Sequence, residues 1–174
     1  MAAAAVDVGL LALRVGLAIV FVAHGYNHIW GGGKIAGTAR WFESLGMRPG
    51  IVHAWFASIT ELGTGLMLLA GFATPLACAG VAGIMIVAWI TNHRDKGFFV
   101  FHRPVEGYEY VMTLTVMSVA LAALGAGALS VDNHIGWFQP GGWWGLGVAT
   151  VGGAGGAFLL LATSWRPERH SASS

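Results

Sequence analysis

The chain has little charge and almost no sulfur chemistry. Only 10% of its 174 residues are Asp, Glu, Lys or Arg, against about 25% in ordinary soluble domains. So few charges cannot cover a water-facing surface, which excludes a soluble globular domain. A formal net charge of +1 provides neither a basic field for nucleic acid nor an acidic tail. Cys78 is the only cysteine. A lone thiol excludes an intramolecular disulfide, a dithiol cycle and a cysteine-based zinc site, so any redox work must run on other groups. The N-terminus lacks the basic stretch and small-residue cleavage site of a secretory signal, with only Asp7 charged before Val8. The first apolar segment is therefore expected to remain as a membrane helix. A zincin pair of histidines and a Ser-His-Asp pattern are also missing. Gly31-Gly32-Gly33-Lys34 is not a phosphate loop, because its spacing is wrong and no strand precedes it.

Apolar sequence fills the chain instead: 56% of residues are hydrophobic, and the mean hydropathy is +0.68. A hydrocarbon core about 30 Å thick needs roughly 20 apolar residues as helix. Five segments are expected to cross: 8–28, 51–72, 74–91, 107–125 and 143–163. The predicted fold class is an all-α polytopic transmembrane bundle. It has a four-helix core over 1–132, a linker and fifth helix over 133–163, and a polar tail over 164–174. Strands are excluded as single spans because backbone groups in lipid must be satisfied within a helix or a closed barrel. Alternating passes put the 31–50 and 92–106 connections and the tail on one face. That face holds Lys34, Arg40, Arg48, Arg94, Lys96, Arg103, Arg166 and Arg169, and the other face holds no Lys or Arg. The positive-inside rule predicts a multi-pass protein of the cell membrane with these loops and the C-terminus cytoplasmic and the N-terminus outside. In the fifth span, Gly152 and Gly156 are read as ordinary tight packing in preference to a dimer seam.

Two charges fall inside the predicted spans. An ionisable group at bilayer depth costs at least ~2.5–3.5 kcal/mol and should be paired inside the protein. Arg14 lies about 6 Å nearer the non-cytoplasmic face than Glu61, at a rise of about 1.5 Å per residue. An Arg14–Glu61 ion pair is therefore expected, either fixing helix register or forming part of a site. Histidines gather at the opposite end. His24 and His28 are four apart and share a helix side, while His53, His93 and His102 flank the next spans. Glu106, Tyr108 and Glu109 join them. This set fits a polar head-group pocket, a proton-handling site or a nitrogen-and-carboxylate metal site, with His24, His28 and His93 the metal candidates. Haem ligation by a histidine pair lacks an attachment motif. Interfacial anchoring explains each of these residues taken singly, and also Trp30, Trp41, Trp55 and Trp89, which could alternatively stack on a ring.

Ordered short motifs add a family resemblance. They are Leu13-Arg14-Val15-Gly16, His24-Gly25, Phe42-Glu43-Ser44-Leu45-Gly46, Glu61-Leu62-Gly63-x-Gly65, Leu69-Ala70-Gly71-Phe72-x-Thr74 and Gly107-x-Glu109-Tyr110. Over about 10–132 the chain resembles the DoxX-like family of small membrane proteins. The resemblance implies a four-helix core associated with redox systems, including membrane subunits of a thiosulfate:quinone oxidoreductase. By position, Arg14, His24, Glu61 and Glu109 are its family-like polar residues. The fifth span and the single cysteine depart from the pattern, and the fifth span hints at a partner packed on it. The leading expectation is a membrane subunit of a quinone-linked redox assembly, with quinone as ligand and protein partners in the membrane. Arg14 and Glu61 would floor its cavity, and His24, His28, His93 and Glu109 would line the mouth. A non-catalytic anchor for other enzymes is the second expectation. A small-solute or lipid transporter is the third, weakened by the lack of an internal repeat.

Overall fold

The computed structural model describes residues 2–101, 106–136 and 141–167. Every regular element among them is helical, apart from one antiparallel bridge between Met47 and Trp165. Helix α1 spans Ala2–Trp30, α2 Lys34–Ser44, α3 Gly50–Ala70 and α4 Thr74–Ala88. A π-helical turn, Trp89–His93, extends α4; α5 spans Glu109–Leu124 and α6 Val131–Ile135. Helix α7, Gly142–Gly147, runs through a second π turn, Val148–Gly152, into α8, Gly153–Ser164. Four stretches are long and apolar enough to cross a membrane: Ala3–Trp30, Gly50–Ala70, Thr74–His93 and Gly142–Ser164. The fourth expected span is present as the shorter apolar helix Glu109–Leu124. The chain is a multi-pass helical membrane protein.

Helices α1, α3, α4 and α5 pack in a ring, and α8 lies outside it against α4. Small residues set these distances, as expected where lipid gives helices no hydrophobic reason to associate. A Cβ on Gly25 would lie 2.8 Å from Leu62 Cγ and 3.0 Å from the Ser58 carbonyl oxygen; one on Gly65 would lie 2.7 Å from Val22 Cγ2. These close approaches bring the end of α1 against the middle of α3. On the other side Gly153 of α8 meets Gly83 of α4, backbone on backbone. The tight packing expected of the fifth span is therefore real, but Gly153 makes it. Large apolar side chains such as Ile19, Ile59, Leu66, Val116, Val151 and Leu159 point outward, as befits surfaces solvated by lipid.

Two features tie the ends of the helices. At one end Trp165 Nε1 donates to the Leu45 carbonyl oxygen at 2.9 Å, and Arg166 N donates to that of Gly46 at 2.7 Å. The end of α8 thus lies beside the α2–α3 turn, on the face to which α1 and α4 deliver their histidines. The 31–50 connection, expected to be a polar loop, is largely helix α2, with Ala39 and Phe42 buried against α3. Its polar residues occupy one face and its apolar residues the other, a periodicity that composition alone hides.

At the other end Gly71 closes α3 in the left-handed conformation (φ 65). A Cβ there would be strained and would collide with the Arg14 guanidinium and Ser130. Arg14 is fully buried. Its Nη1 donates to the carbonyl oxygens of Leu68 at 3.2 Å and Leu69 at 3.4 Å, and its Nη2 to that of Leu129. Asp132, also buried, accepts from Ala73 N at 2.6 Å and Thr74 N at 2.8 Å. The cation thus sits at the C-terminus of α3 and the anion at the N-terminus of α4, the placement that helix dipoles favour.

A histidine-lined cavity between the helices

The expected Arg14–Glu61 pair does not form. Glu61 lies two turns of α3 before the Leu68 and Leu69 carbonyls that hold Arg14, and it faces His28 instead. The reason is the tilt of Cα–Cβ bonds toward a helix N-terminus. Helices α1 and α3 are antiparallel, so Arg14 reaches toward one face and Glu61 toward the other. The difference in height is widened, not bridged.

Glu61 Oε2 lies 3.0 Å from His28 Nδ1. The approach is an ion-pair contact without the alignment of a hydrogen bond, so both buried atoms lack a hydrogen-bond partner. His53, also buried, donates from Nε2 to the Arg48 carbonyl oxygen at 3.4 Å. Since a carbonyl can only accept, the neutral ring keeps a lone pair on Nδ1, which has no partner. These groups line a cavity of about 520 Å³. Its polar end is formed by His24, His28, His53, Glu61, Tyr110 and His93. Trp41 and Phe42 of α2 cover that end. A separate void of about 10 Å³, close to the size of one water, lies beneath it among His24, Glu61 and Tyr110.

The remaining walls are apolar and glycine-rich. Phe56, Ala57 and Thr60 come from α3, Ala79, Gly80 and Gly83 from α4, and Gly152, Gly156 and Ala157 from the α8 side. Both the inner face of the ring, at Glu61 and Met85, and its outer face, at Thr60 and Ala79, contribute to one continuous space. The cavity therefore passes between α3 and α4. Their hairpin is closed at Gly71–Thr74 and opens toward the histidine end. Along α4 the lining runs from Ala79 to His93, about 20 Å at roughly 1.5 Å per residue. The second π turn ends at Gly152, and the first holds Thr91, Asn92 and His93, so both irregular turns border the cavity. π turns are frequently found at functional sites.

Other expected site residues lie elsewhere. Tyr108 packs on Trp89 and Phe98, and Glu109 accepts from Val100 N at 3.2 Å; neither lines the cavity. His102 lies outside the described residues, as do the basic loop and tail residues Arg103 and Arg169. Among the described residues no three His, Cys, Asp or Glu side chains converge to hold a metal. His24, His28 and His93 share a wall without sharing a focus. His93 is occupied at both nitrogens, Nδ1 on the Glu106 carbonyl oxygen at 2.9 Å and Nε2 near Asn92 Nδ2 at 3.2 Å. His24 Nδ1 lies 2.9 Å from its own helix at the Val20 carbonyl oxygen, and its ring stacks on Tyr110. Cys78 is buried in the core. Sequence reasoning missed Asp132, for which no local pattern signals a helix cap from a distant segment. It also passed over Tyr110 as a site residue, although the Gly107-x-Glu109-Tyr110 motif contains it and it is the second residue of α5.

A ring of apolar helices with polar groups drawn inward at one end is the architecture of a small multi-pass helical membrane bundle. The chain belongs to the DoxX family, whose sequence profile matches residues 9–94. It is 30% identical over 129 residues to inner membrane protein YqjF of Escherichia coli (strain K12), covering 73% of this chain and 92% of that protein. It is also 30% identical over 129 residues to CatD of Bacillus subtilis (strain 168), whose name carries a provisional oxidoreductase assignment. That match covers 74% of this chain and 88% of CatD. No solved structure matches the chain at comparable significance. The profile contains Arg14, His24, His28, His53, Glu61 and His93. Tyr110 and the glycine wall of α8 fall outside it.

Proposed function

We propose that the chain is the membrane subunit of a redox assembly and binds a quinone-class ring in the histidine-lined cavity. The observation that carries this reading is the combination of a mostly apolar cavity with hydrogen-bonding groups left without partners at one end. Unsatisfied buried polar groups are costly. Ligand sites are built on such a contrast of apolar walls with a few aimed polar groups. A quinone carbonyl needs a donor, which His28 or a protonated Glu61 supplies, and a quinol hydroxyl needs an acceptor, which the Glu61 carboxylate or His53 Nδ1 supplies. Trp41 and Phe42 give the ring aromatic neighbours. The oxidoreductase assignment in CatD's name points the same way. Electrons would pass to or from a protein partner at this face. A cytoplasmic position of that face is supported by the basic residues of the flanking loops through the positive-inside rule.

The test is a titration of the full chain in lipid nanodiscs with a tail-less dimethoxy-methyl-benzoquinone, read by tryptophan quenching. Saturable quenching weakened about tenfold or more by Glu61→Gln, in line with the loss of a charged hydrogen-bond partner, supports the site. Non-saturable quenching, or the same affinity in the variant, sinks it and leaves the non-catalytic anchor as the better reading.

A further inference from the structure

The cavity is longer than a ring needs. Its titratable groups stop at Glu61, yet the space continues between α3 and α4 to a groove formed by Phe56 and Thr60 on one side and Ala79, Gly152 and Gly156 on the other. Helices α3 and α8 both pack on α4, while Phe56, Gly152 and Gly156 are exposed on the lipid side. Each glycine of the groove keeps space free. A Cβ on Gly156 would meet nothing within 4 Å, and one on Gly152 would touch only Ala79 Cβ at 3.7 Å. Close packing of α8 on α4 is already provided by Gly153, so these two glycines are not needed for it. At the inner end lies the buried Glu61 carboxylate, with Oε2 lacking a hydrogen-bond partner.

We infer that the groove between α3 and α8 is a subsite for a single hydrocarbon chain, through which an amphiphile enters sideways from the bilayer and presents its polar head to Glu61 and His28. The ligand class is thus an amphiphile with one long chain lying against Gly152 and Gly156; that its head is a quinone rests on the preceding reading. The geometry explains why the fifth span is present in this chain: α8 supplies the outer wall of the subsite. A water-borne ring would need only the histidine end, and a cavity of about 520 Å³ is of the size that encloses one small ligand.

The experiment uses native mass spectrometry of the full chain with three probes: a decyl-substituted benzoquinone, the same ring without its chain, and a single-chain lysophosphatidylglycerol. In the Gly152→Leu/Gly156→Leu double variant, retention of both chain-bearing probes is expected to fall about tenfold, since each leucine displaces several methylenes of buried chain. Retention of the tail-less ring is expected to be unchanged. Gly155→Leu, on the same helix with nothing near its Cβ and no place in the cavity, should retain all probes as the parent does. If the double variant fails to fold, Gly156→Leu alone is read in the same way. Equal retention of the chain-bearing probes in parent and variant overturns the subsite. Failure of both quinones to bind the parent overturns the quinone reading instead. The lysophospholipid then decides the subsite, a tenfold loss upholding it and no loss overturning it.

Discussion

The two ends of the bundle treat buried charge in opposite ways. At the Arg14 end the charged groups are held by backbone: the guanidinium lies on the carbonyl oxygens of Leu68, Leu69 and Leu129, leaving only its Nε without a partner, and the Asp132 carboxylate on the amides of Ala73 and Thr74. These groups finish helices, and none of them lines the cavity. At the histidine end Glu61 and His28 approach without hydrogen-bond alignment, His53 keeps a free nitrogen, and a large cavity lies beside them. A buried charge in a membrane is thus not by itself a sign of a binding site. Unpartnered hydrogen-bonding groups that border an open cavity are the more telling criterion.

Substitutions that break the Arg14 end should have the largest effect. Asp132→Ala removes both caps from α4 and leaves Arg14 without its neighbouring carboxylate. A loss of about 3–5 kcal/mol, from two hydrogen bonds to a charged group at about 1.5–3 kcal/mol each, should appear as a lowered unfolding midpoint in detergent. Binding of a probe by whatever protein remains folded should be nearly normal. Glu61→Gln should do the reverse. Since the carboxylate has no aligned hydrogen bond to lose, stability should stay within about 1 kcal/mol of the parent, while affinity for the tail-less benzoquinone drops about tenfold or more. His28→Ala should weaken the same binding by a smaller factor, about threefold to tenfold, the worth of one ordinary hydrogen bond. A loss in stability equal to that of Asp132→Ala would make the two ends alike. Smallest of all, Glu109→Gln should leave quinone affinity unchanged within error, because Glu109 does not itself line the cavity and a glutamine oxygen can still accept from Val100 N.

Hydropathy was enough to find four long spans because each crossing segment must be apolar all round, whereas the fourth expected span is only the shorter apolar helix Glu109–Leu124. The histidine gathering was readable too: connectivity alone brings His24, His28, His53 and His93 to one end. Partnering was harder to read. The Arg14–Glu61 pairing treated each residue as a point on its helix axis, whereas side chains lean toward their own N-termini and carry these two apart. That correction was available from the sequence. The role of Asp132 was not, since nothing near it marks the distant helix it caps. Likewise Gly152, Gly153 and Gly156 look alike in sequence, and only the packing of α8 on α4 separates the one that makes contact from the two that border open space.

The central claim is that the histidine end is a ligand site and the Arg14 end is structural, and a paired thermal-shift measurement tests it most directly. A ligand that binds only the folded state raises the unfolding midpoint in proportion to its affinity. Decyl-substituted benzoquinone, added to the full chain in detergent, should raise the midpoint of the parent and leave that of Glu61→Gln almost unmoved, with the two midpoints nearly equal before addition. An equal shift in both proteins, or a Glu61→Gln variant already as destabilised as Asp132→Ala, would contradict the account.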